Sequence, residues 1–238
     1  MPYKYNTVNS SENQDYGMMY DLFSECLTAK YTNVENSGSF ACEDKNGILY
    51  IYFEKSNGNE DWQNNLSYHA MPVKRGDISF YCHEGFLKVW NSIQPHIDKV
   101  LRNTDAEMIY IVGYSHGAAL ALLCHEYIEN EYPEFKGRVY GYGFGCPRVI
   151  WGNVKDENRI WKNFYVVRNL DDIVTHLPPY ITGYRHVGNL VEIGRMGNYS
   201  GIEAHMAENY LSELSLLIEK HVIYLSSGGD SLDKPGKI

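Results

Sequence analysis

The residues with the clearest chemical potential lie at one abrupt change of pattern. Met108-Ile109-Tyr110-Ile111-Val112 is an apolar, β-favouring run. It meets Gly113-Tyr114-Ser115-His116-Gly117 and passes directly into the helix-forming run Ala118-Ala119-Leu120-Ala121-Leu122-Leu123-Cys124. A serine in a Gly-x-Ser-x-Gly corner between strand and helix is placed to act as a nucleophile, because the flanking glycines let backbone approach it closely. Its hydroxyl is expected to stand clear of the sheet, at the positive end of the following helix. Without the strand and the helix, the same five residues would describe an ordinary tight turn.

A serine hydroxyl needs a base to take its proton, and the base needs a third group to hold its tautomer. On an α/β scaffold of this kind the expected chain order is serine, acid, histidine. Asp171 and Asp172 follow the apolar run Phe164-Tyr165-Val166-Val167-Arg168, so either could reach the rim where the serine stands. Asp-Asp also suits a helix cap or a solvated turn. Among the histidines after Ser115, His116 is covalently too near and His176 shares a loop with the acids. His186 starts a strand-like stretch, while His205 lies in a polar stretch ahead of a helix. Position leaves both as candidates for the base.

The elements that must position these groups follow from periodicity. A helix is predicted from Met18 to about Lys30, and a short strand over 37–43. A turn at Asp44-Lys45-Asn46-Gly47 then leads to a strand, Ile48–Phe53, expected to be buried on both faces. The segment Glu54–Trp62 reads as a loop at a strand exit. Residues 80–84 suggest another strand. Phe86, Trp90, Ile93, Ile97 and Leu101 then mark an amphipathic helix. The helix after Ser115 should run to about Glu131, ahead of Pro133. Strands are expected at 138–145, 164–168 and, as one piece, 184–193. A final helix carries Met206, Tyr210, Leu214, Leu217 and His221. The stretch 67–79 yields no reading, residues 1–15 are expected to fray, and 226–238 read as a disordered tail.

These elements fit one α/β domain over residues 1–225, and 238 residues suffice for a sizeable core. A net charge of −9 disfavours nucleic acid and anionic membrane surfaces as partners. No apolar run is long enough to span a membrane and the start is too polar for a leader, so a cytoplasmic chain is expected, or a secreted one if a leader was removed. The five cysteines form neither a Cys-x-x-Cys pair nor a Cys/His cluster, and read as free thiols rather than metal ligands; no cofactor is implied. The 21 tyrosines suit half-buried sheet surface.

Several blocks, in order, resemble the class 3 lipases, the family of fungal triacylglycerol lipases and related feruloyl esterases. They are Tyr52-Phe53-x-x-Ser56 with Asp61-Trp62 and Asn65-Leu66, His83-x-Gly85-Phe86, the serine corner itself, and Phe144-Gly145-x-Pro147-Arg148-Val149. Asp172-Ile173-Val174-x-x-Leu177-Pro178-Pro179, Tyr184-x-His186-x-Gly188, and His205 with Tyr210 complete the series. The resemblance covers roughly residues 48–210. It implies an α/β-hydrolase fold with a mostly parallel central sheet and helices on both faces. It also implies a triad of Ser115, Asp172 and His205, leaves His186 a structural role, and gives an oxyanion hole from the His116 N–H and Ser56. In place of the family's Phe-Arg-Gly-Ser/Thr this chain has Phe53-Glu54-Lys55-Ser56. Tyr114 and His116 stand where histidine and leucine are common.

The implied activity is hydrolysis of a lipid or short-chain acyl ester through an acyl-enzyme. Acyl transfer or thioester cleavage on the same groups, and a catalytically silent binding module, are the alternatives. The segment 57–66 occupies the place of the family's lid, yet carries one tryptophan among amides and acids, which suggests weak activation at an oil interface. Trp62 and Tyr114 are the candidate lid or substrate contacts. Oligomeric state is left open.

Overall fold

A computed structural model describes residues 15–34, 38–54 and 68–226. The expected frayed start, the lid segment with Ser56 and Trp62, and the expected tail lie outside the described residues, Asp15, Glu54 and Ser226 apart.

The first helix, α1 (Tyr16–Thr28), begins where the Asp15 carboxylate accepts the Met18 N–H at 2.8 Å. It buries Met19, Leu22, Phe23 and Cys26 along one stripe. Strands β1 (Thr32–Val34), β2 (Gly38–Lys45) and β3 (Ile48–Phe53) form an antiparallel run. The β2–β3 turn places Asn46 and Gly47 at φ 54° and 78°, the left-handed pair that a tight hairpin of this twist requires. Next come β4 (Ala70–Arg75) and β5 (Ile78–His83), then α2 (Glu84–Leu101), capped by His83, whose Nδ1 accepts the Gly85 N–H at 3.1 Å. Its buried stripe is the one its spacing predicts: Phe86, Trp90, Ile93, Ile97 and Leu101. Each such burial contributes about 1.5–3 kcal/mol.

Strand β6 (Met108–Tyr114) leads through Ser115 into α3 (His116–Glu131). It is followed by β7 (Val139–Phe144), β8 (Ile150–Trp151), the one-turn α4 (Glu157–Ile160) and β9 (Phe164–Asn169). Strands β10 (Tyr184–Arg185) and β11 (Asn189–Ile193) precede the last helix, α5 (Ala207–Ser226). The main sheet runs β1-β2-β3-β6-β7-β9-β11 and is parallel from β3 onward. Helices α2 and α3 pack on one face, α1 and α5 on the other, as expected for an α/β-hydrolase. Burial on both faces explains the unbroken apolar runs of β3 and β6. On the α1/α5 face, half-buried tyrosines stack across strands: Tyr50 on Tyr110 at 5.7 Å, Tyr110 on Tyr140 at 5.5 Å, and Tyr165 on the more buried Tyr142 at 5.1 Å.

One expectation needs correction, and one unread stretch acquires a structure. The stretch 184–193 is not one strand. It divides into β10 and β11, with Gly188 at φ 85° between them, and the two halves join different sheets. The unread stretch 67–79 holds β4 and the start of β5, which with β8 and β10 make a second, antiparallel sheet of order β10-β8-β5-β4. Pro72 interrupts the β pattern of β4, and an edge strand tolerates it. Strands of two residues, such as β8 and β10, leave no periodicity to read.

Candidate active site

The corner forms because backbone must pass where a side chain would not fit. A Cβ on Gly113 would lie 2.2 Å from the Gly117 carbonyl oxygen, and one on Gly117 would lie 2.3 Å from that of Phe53. Between them Ser115 adopts φ 56°, ψ −122°, a conformation non-glycine residues rarely take. Its N–H donates to the Phe144 carbonyl at 2.8 Å, which ties the corner to β7.

Three side chains converge here from separate elements. The Ser115 hydroxyl lies 2.8 Å from Nε2 of His205, and Nδ1 of His205 lies 2.8 Å from Oδ2 of Asp172. A carboxylate only accepts, so Nδ1 carries the proton and Nε2 is left to receive the serine's. Ser115 is 7% exposed, more enclosed than its sequence context suggests. The His205 imidazole lies on the hydroxyl, and the Ser115 backbone is bonded to β7.

Asp172 is fully buried and both of its carboxylate oxygens are hydrogen-bonded. Oδ1 takes the Val174 N–H at 2.8 Å, which caps the 3₁₀ turn Ile173–His176, and Oδ2 takes the Tyr210 hydroxyl at 2.6 Å. Asp171 points elsewhere. Its carboxylate accepts the N–H groups of Gly197 and Tyr199 at 2.9 and 3.1 Å, which hold its pKa below the usual value and stitch the 195–200 loop to the acid loop. Arg148 fixes the far end of the acid loop by donating to the carbonyls of His176 and Pro178 at 2.5 and 3.0 Å, which accounts for the Pro-Arg-Val block.

The other histidines take separate places. Nε2 of His186 donates to the Thr175 carbonyl at 2.8 Å, and the Thr175 hydroxyl bonds the Asp172 carbonyl at 2.8 Å, so His186 braces the acid loop from behind. Burial pushes its pKa down to about 3, leaving it neutral. The His116 ring packs against Phe86, and burial lowers its pKa. The His116 backbone N–H is at the first helical position, among those a helix leaves without an internal acceptor, and the helix dipole adds positive potential there.

Tyr114, expected as a lid or substrate contact, faces His205. It is 4% exposed, its hydroxyl donates to the His205 backbone carbonyl, and its ring stacks on the His205 imidazole at 5.3 Å. The hydroxyl of Tyr210 also receives the Asn169 N–H at 3.1 Å. Both roles escape a reading by position; the pairing of His205 with Tyr210 in the family resemblance is the available signal. Among the described residues no cluster of three or more His, Cys, Asp or Glu side chains could hold a metal, all five cysteines are free, and no helix is long and apolar enough to cross a membrane.

The chain matches the family description "Lipase (class 3)" over residues 50–182. Lipase of Rhizomucor miehei is 28% identical over 154 residues, covering 61% of this chain and 41% of that protein. A secreted mono- and diacylglycerol lipase of Malassezia globosa is 31% identical over 113 residues, covering 46% and 36%. The chain therefore spans less than half the length of these curated relatives. In three dimensions it is similar to the triacylglyceride lipase of Rhizomucor miehei, with TM-score 0.60 and 20% identity over 76% of this chain and 82% of that one. A triacylglycerol lipase whose catalytic centre is formed by a serine protease triad gives TM-score 0.58 and 24% identity over 70% and 66%. At these identities the two solved structures bear on the fold alone.

Proposed function

The chain belongs to the class 3 lipase family, and from that premise we propose that it is a serine ester hydrolase with Ser115 as nucleophile, His205 as general base and Asp172 as the acid that orients it. One observation carries the reading: the unbroken run from the Ser115 hydroxyl through His205 to buried Asp172, with 2.8 Å at each step. The Ser115 Oγ attacks the acyl carbonyl as its proton passes to Nε2. The tetrahedral intermediate collapses as His205 returns that proton to the leaving alcohol, giving an acyl-enzyme. Water then repeats the sequence, releasing the acid and restoring the serine hydroxyl. The His116 N–H and Ser56 supply the oxyanion donors in this proposal, each worth roughly 3 kcal/mol in the transition state.

The substrate is an acyl ester of a glycerolipid or a shorter alcohol, a reading supported by the names of the relatives. The polar composition of 57–66 supports a preference for dissolved, short-chain esters. The cytoplasmic expectation is carried forward as a proposal beside the secreted character of the Malassezia relative, and fractionation of the native host separates the two. The central test is a fluorophosphonate probe with a panel of p-nitrophenyl esters. Labelling at Ser115, lost in Ser115→Ala, together with ester turnover supports the hydrolase. Labelling without hydrolysis, but with transfer to an added alcohol or thiol, makes it an acyltransferase. A protein that neither labels nor turns over ester is a silent module.

A further inference from the structure

We infer that Tyr114 is a positioning residue for the base, clamping His205 at both its backbone and its ring. The inference rests on the proposed hydrolase reading and concerns what holds His205 in place. His205 lies at the end of the short 3₁₀ turn Glu203–His205, between the exposed side chains of Ile202 and Met206. A turn this short holds little order of its own, and the carbonyls at its end lack internal donors. Each of its three carbonyls takes a side-chain donor from outside the turn. The Glu203 carbonyl receives the Met206 N–H at 2.9 Å and the Asn209 side-chain amide at 2.7 Å. The Ala204 carbonyl receives the Asn169 side-chain amide at 3.3 Å, from the end of β9. The His205 carbonyl receives the Tyr114 hydroxyl, from the end of β6.

The Tyr114 contact differs from the other two in what it couples. Tyr114 is covalently joined to Ser115, so the base is anchored to the same strand end that carries the nucleophile. Its ring also lies along the imidazole, 27° from parallel. That ring is itself fixed: Phe23 of α1 packs on it edge-on at 5.3 Å, and Tyr210 of α5 at 6.3 Å. The distance from Nε2 to the Ser115 hydroxyl is thereby set by rigid elements of the core, while the His205 turn stays free to present its apolar flanks outward. A misplacement of about an ångström between reacting groups is worth up to roughly a hundredfold in rate, so the clamp acts on turnover.

Tyr114→Phe tests this, because it keeps the ring and removes only the bond to the His205 carbonyl. The expected result is a fall of about ten- to a hundredfold in kcat on a soluble p-nitrophenyl ester, with KM changed less than about twofold. The rate of fluorophosphonate labelling at Ser115 should fall in proportion. The low-field proton resonance of the His205 Nδ1–H should broaden as the imidazole loses its fixed orientation. Tyr114→His is the second variant: its shorter ring does not reach the carbonyl, and the same loss in kcat is expected should the phenylalanine variant not fold. Full kcat with a sharp, unshifted resonance in a folded variant overturns the clamp, as does a loss that falls on KM alone. A wild-type protein that neither labels nor turns over ester sinks the hydrolase reading and the clamp with it; labelled wild type with unimpaired variants sinks only the clamp.

Discussion

The hydroxyl of Tyr210 lies 2.6 Å from Oδ2 of Asp172, the same oxygen that receives the Nδ1–H of His205. One carboxylate oxygen thus holds a phenol from α5 and an imidazole from the turn before it, while the other oxygen caps the acid's own 3₁₀ turn. The buried carboxyl thus has both oxygens engaged, which offsets the cost of taking a polar group out of water.

Removing the phenol should affect both folding and turnover. Tyr210→Phe leaves the Asn169 N–H without its acceptor and Asp172 with one donor fewer. A loss of about 1–3 kcal/mol in urea-unfolding free energy is expected, with a several-fold drop in kcat. Asp172→Asn should be far more severe for turnover, on the order of 10⁴, because the amide favours the wrong imidazole tautomer. An Asp172→Asn loss as small as that of Tyr210→Phe would mean that Oδ2 does not orient His205.

The serine corner should be strained. Ser115→Ala abolishes turnover but keeps a Cβ at φ 56°, whereas Ser115→Gly removes it. A non-glycine residue in such a region costs of order 1–3 kcal/mol, against about 0.5–1 kcal/mol of extra chain entropy for glycine. The glycine variant is expected to unfold at a higher temperature than the alanine variant. The reverse order in calorimetry would show that the corner is relaxed.

The two candidate histidines should separate cleanly. His205→Ala should lose labelling and turnover while folding, because its ring sits at the rim. His186→Ala should lose stability, because its 7%-exposed ring braces the Thr175 carbonyl, and should keep the chemistry in the fraction that folds. A fully folded but inactive His186→Ala with an active His205→Ala would exchange their roles.

Stability should depend on pH through groups buried away from the relay. Burial lowers the pKa of His125 to about 4 and of His186 to about 3, and raises that of Glu126 to about 7. The His116 pKa is likewise lowered to about 4, so below about pH 6.5 the unfolded chain takes up three histidine protons that the folded chain refuses, and stability falls. Between about 4.5 and 7 the folded chain keeps one proton on Glu126 that the unfolded chain has lost, which opposes that fall by one proton. The net expectation is a decline in stability from about pH 6.5 down to about 4.5, read from urea unfolding, because three buried histidines outweigh one buried glutamate. A flat or rising profile over that range would show that these histidines are hydrated.

Much of the fold was legible because local preference and burial agree. Ile48–Phe53 and the buried stripe of α2 fall where periodicity places them. The parallel strands of the core are buried on both faces and announce themselves as apolar runs. The second sheet was not legible: its edge strand carries Pro72, and β8 and β10 are two residues each, held by neighbours rather than by pattern. The division of 184–193 had the same cause, since only the partner strands distinguish β10 from β11.

For the site, the sequence by itself determined the corner, since a strand, a glycine-flanked serine and a helix follow one another within a single stretch of backbone. The family resemblance also pointed to Asp172 and His205, but what brings them to the serine is tertiary structure. His205 and Ser115 are 90 positions apart, and His205 and Asp172 are 33 apart. Neighbouring aspartates, or two histidines downstream of the serine, have the same side-chain chemistry. Only the sheet order and the docking of α5 determine which carboxylate turns inward, which imidazole reaches the hydroxyl, and that Tyr114 and Tyr210 hold them there.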